Sequence, residues 1–187
     1  MLTLADYNPS VLYLVTLPNF ILAWALQQRG GNPVVESAFS PDGQELDLTS
    51  EVLQAFKDSL SSNQISLLFL SGAWSPTFVE LLSSSVPSIP TESAGGVYTL
   101  VMGAETIYSP FALESFASTL LAILEQQRQS HPGGQATAII AAKRLYFGVG
   151  GSLDDFVDKM KSLGTAVETL REETQGVRRG VVRCRLS

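Results

Sequence analysis

The amino-acid sequence predicts an α/β fold with a mostly parallel sheet and an antiparallel edge at its carboxyl end. Three short apolar segments, Ile65–Leu70, Val97–Met102 and Thr137–Ala142, have the length and composition of buried strands and alternate with helical segments. Two later segments, Val167–Arg171 and Val181–Leu186, alternate between inward and outward residues and predict a closing antiparallel pair. Strands that alternate with helices are typical of a parallel sheet covered by helices.

Composition predicts one folded domain, residues 1–187, and argues against a disordered chain or a nucleic-acid binder. Of the 187 residues, 45% are hydrophobic and 16% are charged, which is enough apolar content for a sizeable core. The net charge of −6 disfavours direct contact with nucleic acid. The single cysteine, Cys184, excludes an internal disulfide and fits a reducing compartment.

The amino-terminal segment predicts a strand followed by two helices. Leu2–Ala5 is the strand, and Asn8 is a good cap for the first helix. That helix should break near Thr16–Leu17, because Pro18 cannot donate a backbone hydrogen bond. The second helix runs to Gln28. Both helices are apolar on most faces, so we expect them to pack against a large surface.

Neither a membrane span nor a signal peptide is expected. The longest apolar stretch, Val11–Leu26, is shorter than a bilayer span and carries Pro18 and Asn19 at its middle. The first residues include no basic side chain, and Asp6 follows them at once. A pair of buried helices is therefore the better interpretation of the stretch.

The remaining segments predict two surface loops and four helices. The loops cover residues 32–50 and 84–96, which are polar or rich in serine, proline and glycine. The predicted helices are Glu51–Leu60, Thr77–Ser83, Pro110–Gln129 and Leu153–Leu163.

The strand Val97–Met102 organises the chain, because polar groups follow it directly. We expect it to be a buried central strand, with Glu105 and Tyr108 just beyond its carboxyl end. Open α/β sheets bind ligands at that end of their strands. The alternative is that these polar groups only cap the helix that begins at Pro110.

Several kinds of site are disfavoured by the residues that the chain has. The only histidine, His131, lies in a Pro-Gly turn, so serine–histidine hydrolysis, a histidine-ligated zinc site and metal binding in general are not expected. No Walker-type phosphate loop is present. The run Gly148–Gly151 resembles a dinucleotide loop only superficially, because Leu153 occupies the position of the last glycine. A flexible turn is the better interpretation of that run.

The remaining polar and aromatic residues at the strand ends suit a reaction that needs no metal and no covalent nucleophile. Asp6 could accept hydrogen bonds from ribose hydroxyls, and Trp74 could either stack on an adenine or fill the core. Glu105 and Tyr108 could orient a nucleophile. Methyl transfer from a sulfonium fits this set, because it is a direct displacement that depends on positioning and desolvation.

Four strings together resemble the protein-histidine N-methyltransferases, which belong to the seven-β-strand, Rossmann-like class of S-adenosylmethionine-dependent enzymes. They are LADYN from Leu4, VTLPN from Val15, AETIYSP from Ala104 and AKRLYFGVGG from Ala142. The resemblance covers nearly the whole chain, and the last string is the most telling.

The resemblance implies a role for each candidate residue. Asp6 would hold the ribose of S-adenosylmethionine and Trp74 would border its adenine. Glu105 and Tyr108 match the acidic-x-x-tyrosine motif that faces the transferred methyl, and Glu105 could instead hold the methionine amine of the cofactor. The pocket for the target side chain would be shaped by Tyr146, Phe147, Gly148, Gly150 and Gly151.

The resemblance also implies a protein substrate and an incomplete catalytic domain. The family modifies a histidine of a large-subunit ribosomal protein, in the cytoplasm or nucleus, and its nearest relatives modify lysines. In the family, a first strand and a glycine-rich cofactor loop precede the aspartate strand, whereas Asp6 here lies close to Met1. The alternatives are therefore a lysine methyltransferase, or an impaired fragment that serves as a protein-interaction module.

Overall fold

The computed structural model describes residues 1–85 and 97–187 and divides them into two compact units. The first unit is Met1–Ala73 and the second is Trp74–Ser187. Most of the predicted loop 84–96 lies outside the described residues, and its first two residues belong instead to the end of a helix.

The chain order of strands and helices follows the predicted alternation. The first unit contains β1 (Leu2–Asp6), α1 (Pro9–Val11), a π-helical turn (Leu12–Thr16), α2 (Leu17–Gln28), α3 (Pro33–Ala38), α4 (Ser50–Ser62) and β2 (Leu67–Ser71). The second unit contains α5 (Pro76–Ser85), β3 (Tyr98–Ala104), α6 (Pro110–Ser130), β4 (Gln135–Lys143), α7 (Leu153–Ser162), β5 (Thr165–Glu173) and β6 (Arg179–Leu186).

The sheet pairings confirm the predicted α/β class with its antiparallel edge. In the first unit, β1 and β2 are parallel. In the second unit the strand order is β3-β4-β6-β5, with β3 and β4 parallel and both pairs that include β6 antiparallel. Because β3 and β4 are parallel, their carboxyl ends lie side by side. Lys143 is the last residue of β4, and Glu105 directly follows β3.

The segment 32–50 contains a helix where the sequence predicted a loop. Asn32 accepts hydrogen bonds from the backbone amides of Val34 and Val35, and Pro33 begins the helix. Val35 and Ala38 are buried, and Ala38 belongs to a small core cluster with Val52. The expectation of a loop was wrong for residues 33–38 because two apolar side chains in a polar segment suffice to anchor one helical turn and a half.

The break predicted near Thr16–Leu17 does not occur. Asn8 caps the first turn as predicted, but the helix then passes through the π-helical turn and continues to Gln28. In that turn the amide of Leu17 donates to the carbonyl of Leu12, five residues earlier. The wider turn admits a residue that lacks an N–H donor without ending the helix.

The long apolar helix is more exposed than predicted. Only Leu12, Ile21 and Ala25 are buried, whereas Tyr13 and Leu14 are 72% and 66% exposed. By length and composition alone the helix Pro9–Gln28 could cross a membrane. Core helices of globular proteins pass the same test, so the finding is weak evidence for a membrane segment.

The core of the second unit lies on one face of its sheet. Helices α6 and α7 pack there, with Phe116, Leu120 and Phe156 against Ile140 and Val182 of β4 and β6. Cys184 is also buried in this cluster.

The strand β3 is an edge strand, not the buried central strand that its apolar composition predicted. Within the described residues it pairs only with β4. Val101 packs against the core, whereas Tyr98, Leu100 and Met102 are 60%, 47% and 75% exposed. The exposed side chains share the face opposite to α6 and α7, and no described helix of the second unit covers that face.

Candidate functional site

Glu105 begins the site, directly after β3. Its backbone amide still donates to the carbonyl of Ala141 at 3.0 Å, so it is tied to the carboxyl end of β4. Its φ is 56°, in the left-handed region that costs a non-glycine residue about 1 kcal/mol. Such strain persists only where surrounding contacts hold the residue in place, and in this protein the contacts are made by the carboxylate.

Tyr146 supplies the shortest contact to that carboxylate. Its hydroxyl donates to Glu105 Oε2 at 2.9 Å and accepts from the backbone amide of Lys143 at 3.3 Å. The side chain is 7% exposed. Burial raises the pKa of Tyr146 to about 12, and the hydrogen bond to Glu105 and its negative charge add to the shift. The phenol is therefore a neutral donor at physiological pH.

Two cations flank the same carboxylate. Lys143 Nζ lies 3.9 Å from Oε2, and Arg179 Nε lies 3.8 Å from Oε1. Lys143 ends β4 and Arg179 begins β6, and the antiparallel register places the two residues directly opposite each other. Lys143 Nζ also lies 5.3 Å from the centre of the Tyr146 ring. The site therefore combines one carboxylate, one phenol and two positive charges.

The loop after Tyr146 is fixed to the segment that follows Glu105. The amide of Tyr146 donates to the carbonyl of Gly151 at 2.9 Å, and the amide of Gly150 donates back to Tyr146 at 3.2 Å. A Cβ on Gly151 would lie 2.6 Å from the carbonyl carbon of Tyr108 and 2.8 Å from the nitrogen of Ser109, so only glycine fits.

These contacts confirm a turn in the run Gly148–Gly151 and show that hydrogen bonds hold it. The amides of Val149 and Gly150 are committed to Tyr146, so they are not available to cradle a phosphate. Phe147, next to Tyr146, is 89% exposed, and its ring is free to contact a partner.

Tyr108 is not joined to Glu105 by a hydrogen bond in the described part of the chain. It is 53% exposed, and the phenol that Glu105 contacts belongs to Tyr146. The helix cap is Ser109, whose hydroxyl accepts from the amide of Ala112 at 3.2 Å. Glu105 is thus not needed as the cap of α6, the alternative that the sequence left open.

The two other candidate cofactor residues belong to different units, Asp6 to the first and Trp74 to the second. Asp6 Oδ1 accepts from the amide of Asn8 at 2.8 Å, and its second oxygen accepts no hydrogen bond within the described ranges. That oxygen could accept a ribose hydroxyl.

Trp74 packs as a core residue. Its ring lies edge-on to those of Phe78 and Phe116, with centroid separations of 5.1 and 5.6 Å. It lies against the core cluster and is only partly exposed. The second carboxylate oxygen of Asp6 therefore suits a ribose hydroxyl of a nucleoside. The packing of Trp74 favours a role in the core.

Lys143 and Arg179 are the site residues that sequence reasoning did not identify as partners of Glu105. Lys143 stands inside a recognised string, but Arg179 is 74 residues beyond Glu105 and precedes the predicted strand Val181–Leu186. One signal was available in the sequence, the predicted antiparallel pair. Where the second strand of that pair, β6, runs antiparallel to β4, its first residues lie beside the last residues of β4.

Metal binding finds no support in residues 1–85 and 97–187, where no three His, Cys, Asp or Glu side chains form a group that would hold an ion. His131 follows α6 as its carboxyl-terminal cap and is half-buried, with its Nδ1 buried and unpaired among the described residues. No contact between it and Glu105 is found in those residues.

Comparison with known proteins gives two relatives with the same name, and no family model matches. The chain is 34% identical over 190 aligned residues to histidine protein methyltransferase 1 of Saccharomyces cerevisiae, covering 96% of this chain and 47% of that protein. It is 31% identical over 184 residues to histidine protein methyltransferase 1 of Schizosaccharomyces pombe, covering 97% and 48%.

Two solved structures are also similar. A methyltransferase from Pyrococcus furiosus has a TM-score of 0.36 and 12% identity, over 74% of this chain and 59% of that one. The PH0226 protein from Pyrococcus horikoshii OT3 has a TM-score of 0.36 and 10% identity, over 75% and 69%. The two sequence matches agree with the resemblance that the motifs indicated: the chain is similar to two proteins named histidine protein methyltransferase 1 and spans about half the length of each.

Proposed function

We propose that this chain is part of an S-adenosylmethionine-dependent protein methyltransferase that transfers a methyl group to a histidine side chain. The observation that carries the proposal is the fixed Glu105 carboxylate, held between Tyr146, Lys143 and Arg179 at the carboxyl ends of β3 and β4. The name shared by the two yeast relatives supports the choice of histidine as the target.

The chemistry of imidazole explains why a fixed carboxylate is useful. A neutral imidazole reacts through the ring nitrogen that carries no hydrogen, and its other nitrogen keeps the N–H. Glu105 would accept that N–H, which selects the reactive tautomer and stabilises the positive charge that develops on the ring. Tyr146 would hold the carboxylate in position without charge, because its phenol stays protonated at neutral pH.

The cofactor would supply an electrophilic methyl group on a sulfonium. Asp6 would hold its ribose through the carboxylate oxygen that accepts no hydrogen bond among the described residues, whereas the packing of Trp74 places that ring in the core. Phe147 and the loop Gly148–Gly151 would face the target side chain, since this loop packs on the segment that carries Tyr108.

The family resemblance supports a large-subunit ribosomal protein as the substrate and the cytoplasm or nucleus as the location. We propose both. We also propose that the chain does not bind nucleic acid directly, because its net charge of −6 disfavours contact with phosphates.

A methylation assay tests the proposal and separates it from its alternatives. The chain is incubated with radiolabelled S-adenosylmethionine and isolated ribosomal proteins, and the hydrolysate of the labelled product is analysed for methylated amino acids. Methylhistidine is the expected product. Methyllysine would show the lysine methyltransferase instead.

A binding measurement completes the test, because the chain spans half of its relatives. S-adenosylhomocysteine is titrated into the chain by calorimetry, with Asp6→Ala as the matched variant. We expect the wild-type chain to bind S-adenosylhomocysteine and the Asp6→Ala variant to lose that binding. No binding and no methyl transfer would contradict the proposed function and favour the protein-interaction module.

A further inference from the structure

We propose that Lys143 and Arg179 determine which side chain the Glu105 site accepts, by favouring a neutral imidazole over a protonated amine. The inference rests on the proposed function, because it concerns the specificity of the same site.

The positive charges at the site outnumber the negative one. Lys143 Nζ and Arg179 Nε approach the two carboxylate oxygens of Glu105 at 3.9 and 3.8 Å. Tyr146 adds no charge, because its phenol is protonated. One carboxylate and two cations leave an excess of positive charge at the site.

The sheet holds the two cations in place. Lys143 and Arg179 are paired residues of β4 and β6, so their Cα atoms have a fixed separation across an antiparallel ladder. Lys143 is further restrained over the ring of Tyr146. The charge around Glu105 is therefore built into the strand register.

Neighbouring acids do not compensate this excess. Glu173 is the acid that lies directly opposite Arg179 across the antiparallel ladder, on the same face of the sheet. It forms an ion pair with Arg171 at 4.0 Å, so this pair adds no net charge beside Glu105.

Glu105 nevertheless keeps room for a neutral donor. The separations of 3.8 and 3.9 Å exceed hydrogen-bond distance, so neither cation occupies a lone pair of the carboxylate. An imidazole N–H can therefore bind there without meeting net repulsion. A lysine ammonium group would be attracted by one anion and repelled by two cations at similar range.

Two small probes test this preference on the intact chain. Imidazole and n-butylamine are titrated at about pH 8, where most imidazole is neutral and the amine is protonated. Binding is followed by NMR, through the side-chain carboxyl carbon of Glu105 and the Nε–Hε group of Arg179. The wild-type chain is expected to bind imidazole at least about tenfold more tightly than butylammonium.

Charge-removing variants should shift this preference. The double variant Lys143→Met, Arg179→Met is expected to move the ratio of the two affinities by about tenfold toward butylammonium. The single variant Lys143→Met should move it in the same direction by about threefold, and serves if the double variant does not fold. Arg179→Lys retains the charge and should retain the preference for imidazole.

Arg183→Met is the matched control. Arg183 lies on the same strand as Arg179 and pairs with Glu168, not with Glu105. This variant is expected to keep the wild-type ratio. A similar shift in Arg183→Met would make the effect a general loss of charge and would overturn the proposal.

Other outcomes also overturn it: butylammonium binding to the wild type as tightly as imidazole, an unchanged ratio in the charge-removing variants, or no response of Glu105 to imidazole. Failure of the proposed function is distinguishable, because the probes require no methyl transfer. An inactive chain that prefers imidazole would contradict only the proposed function. An active histidine methyltransferase without the preference would contradict only this inference.

Discussion

The hydroxyl of Tyr146 donates a 2.9 Å hydrogen bond to the carboxylate of Glu105, across 41 residues of sequence. Tyr146 is buried and begins a loop whose Gly151 packs against the backbone that follows Glu105. The bond therefore links the ends of β3 and β4 through side chains as well as through the sheet. It gives the carboxylate of Glu105 a defined position.

The first prediction concerns the pKa of Tyr146. Glu105→Gln is expected to lower this pKa from about 12, because the neutral amide no longer penalises the phenolate. Burial remains, so the pKa should stay above the ordinary value of 10.0. NMR of the tyrosine ring carbons measures the titration, and Tyr146→Phe identifies the signal.

Arg179→Gln provides the opposite control. The positive charge of Arg179 lowers the pKa of Tyr146, so its removal should raise that pKa. If both variants move the pKa in the same direction, the charges near Tyr146 are not arranged as described.

The second prediction concerns stability in alkali. Burial raises the pKa of the Cys184 thiol from 9.0 to about 11, so the protonated thiol contributes stability that is complete below pH 9 and is lost as the pH rises to about 11. The expected loss of unfolding free energy is about 2 to 3 kcal/mol, the equivalent of two pKa units. Urea unfolding at a series of pH values measures it.

Cys184→Ala should flatten that part of the pH profile, although its stability near pH 8 will be lower because a buried side chain is truncated. Tyr146 adds a similar loss between pH 10 and about 12, which Tyr146→Phe should remove. Profiles of the wild type and Cys184→Ala that remain parallel from pH 9 to 11 would contradict the assignment.

The third prediction concerns the chemical step. Glu105→Gln is expected to lower turnover by about a hundredfold, which is typical for loss of a group that orients or accepts a proton. Affinity for S-adenosylhomocysteine should stay nearly constant, because the amide preserves the shape of the site. Single-turnover methyl transfer to a histidine peptide, beside a binding titration, measures the two quantities. A loss of affinity with an unchanged chemical step would make Glu105 a cofactor ligand.

The fourth prediction concerns backbone strain at Glu105. Its φ of 56° suits glycine better than any residue with a Cβ, so Glu105→Gly should be more stable than Glu105→Ala by about 1 kcal/mol. Both variants lose the carboxylate, so the comparison isolates the backbone. Urea denaturation of the two proteins at the same pH is sufficient. Greater stability of the alanine variant would show that the left-handed conformation is not retained.

The fifth prediction concerns Trp74, which the sequence left between an adenine platform and a core residue. Its packing against Phe78 and Phe116 leads us to expect that Trp74→Ala costs about 3 kcal/mol of stability. Trp74→Phe should recover much of that loss, because an aromatic ring is retained. A variant Trp74→Ala with a normal melting temperature and weakened S-adenosylhomocysteine binding would favour the adenine platform.

The sequence by itself determined the features that depend on neighbouring residues. The cap at Asn8 and the terminal antiparallel pair follow from local hydrogen bonding and side-chain periodicity, and the structure confirms them. Local rules also placed Glu105 directly after a strand. They failed near Pro18, because a π-helical turn at Leu12–Thr16 lets the helix continue past a residue without an N–H donor.

Only the tertiary structure decided what covers each surface and what Glu105 contacts. An apolar run such as β3 shows that residues can be buried, but burial requires a partner on that face, and Tyr98 and Met102 have none among the described residues of their unit. Tyr146 and Arg179 meet Glu105 because strand register and loop packing bring distant residues together. Contacts of that range are fixed by the packing of the whole sheet, which no local pattern encodes.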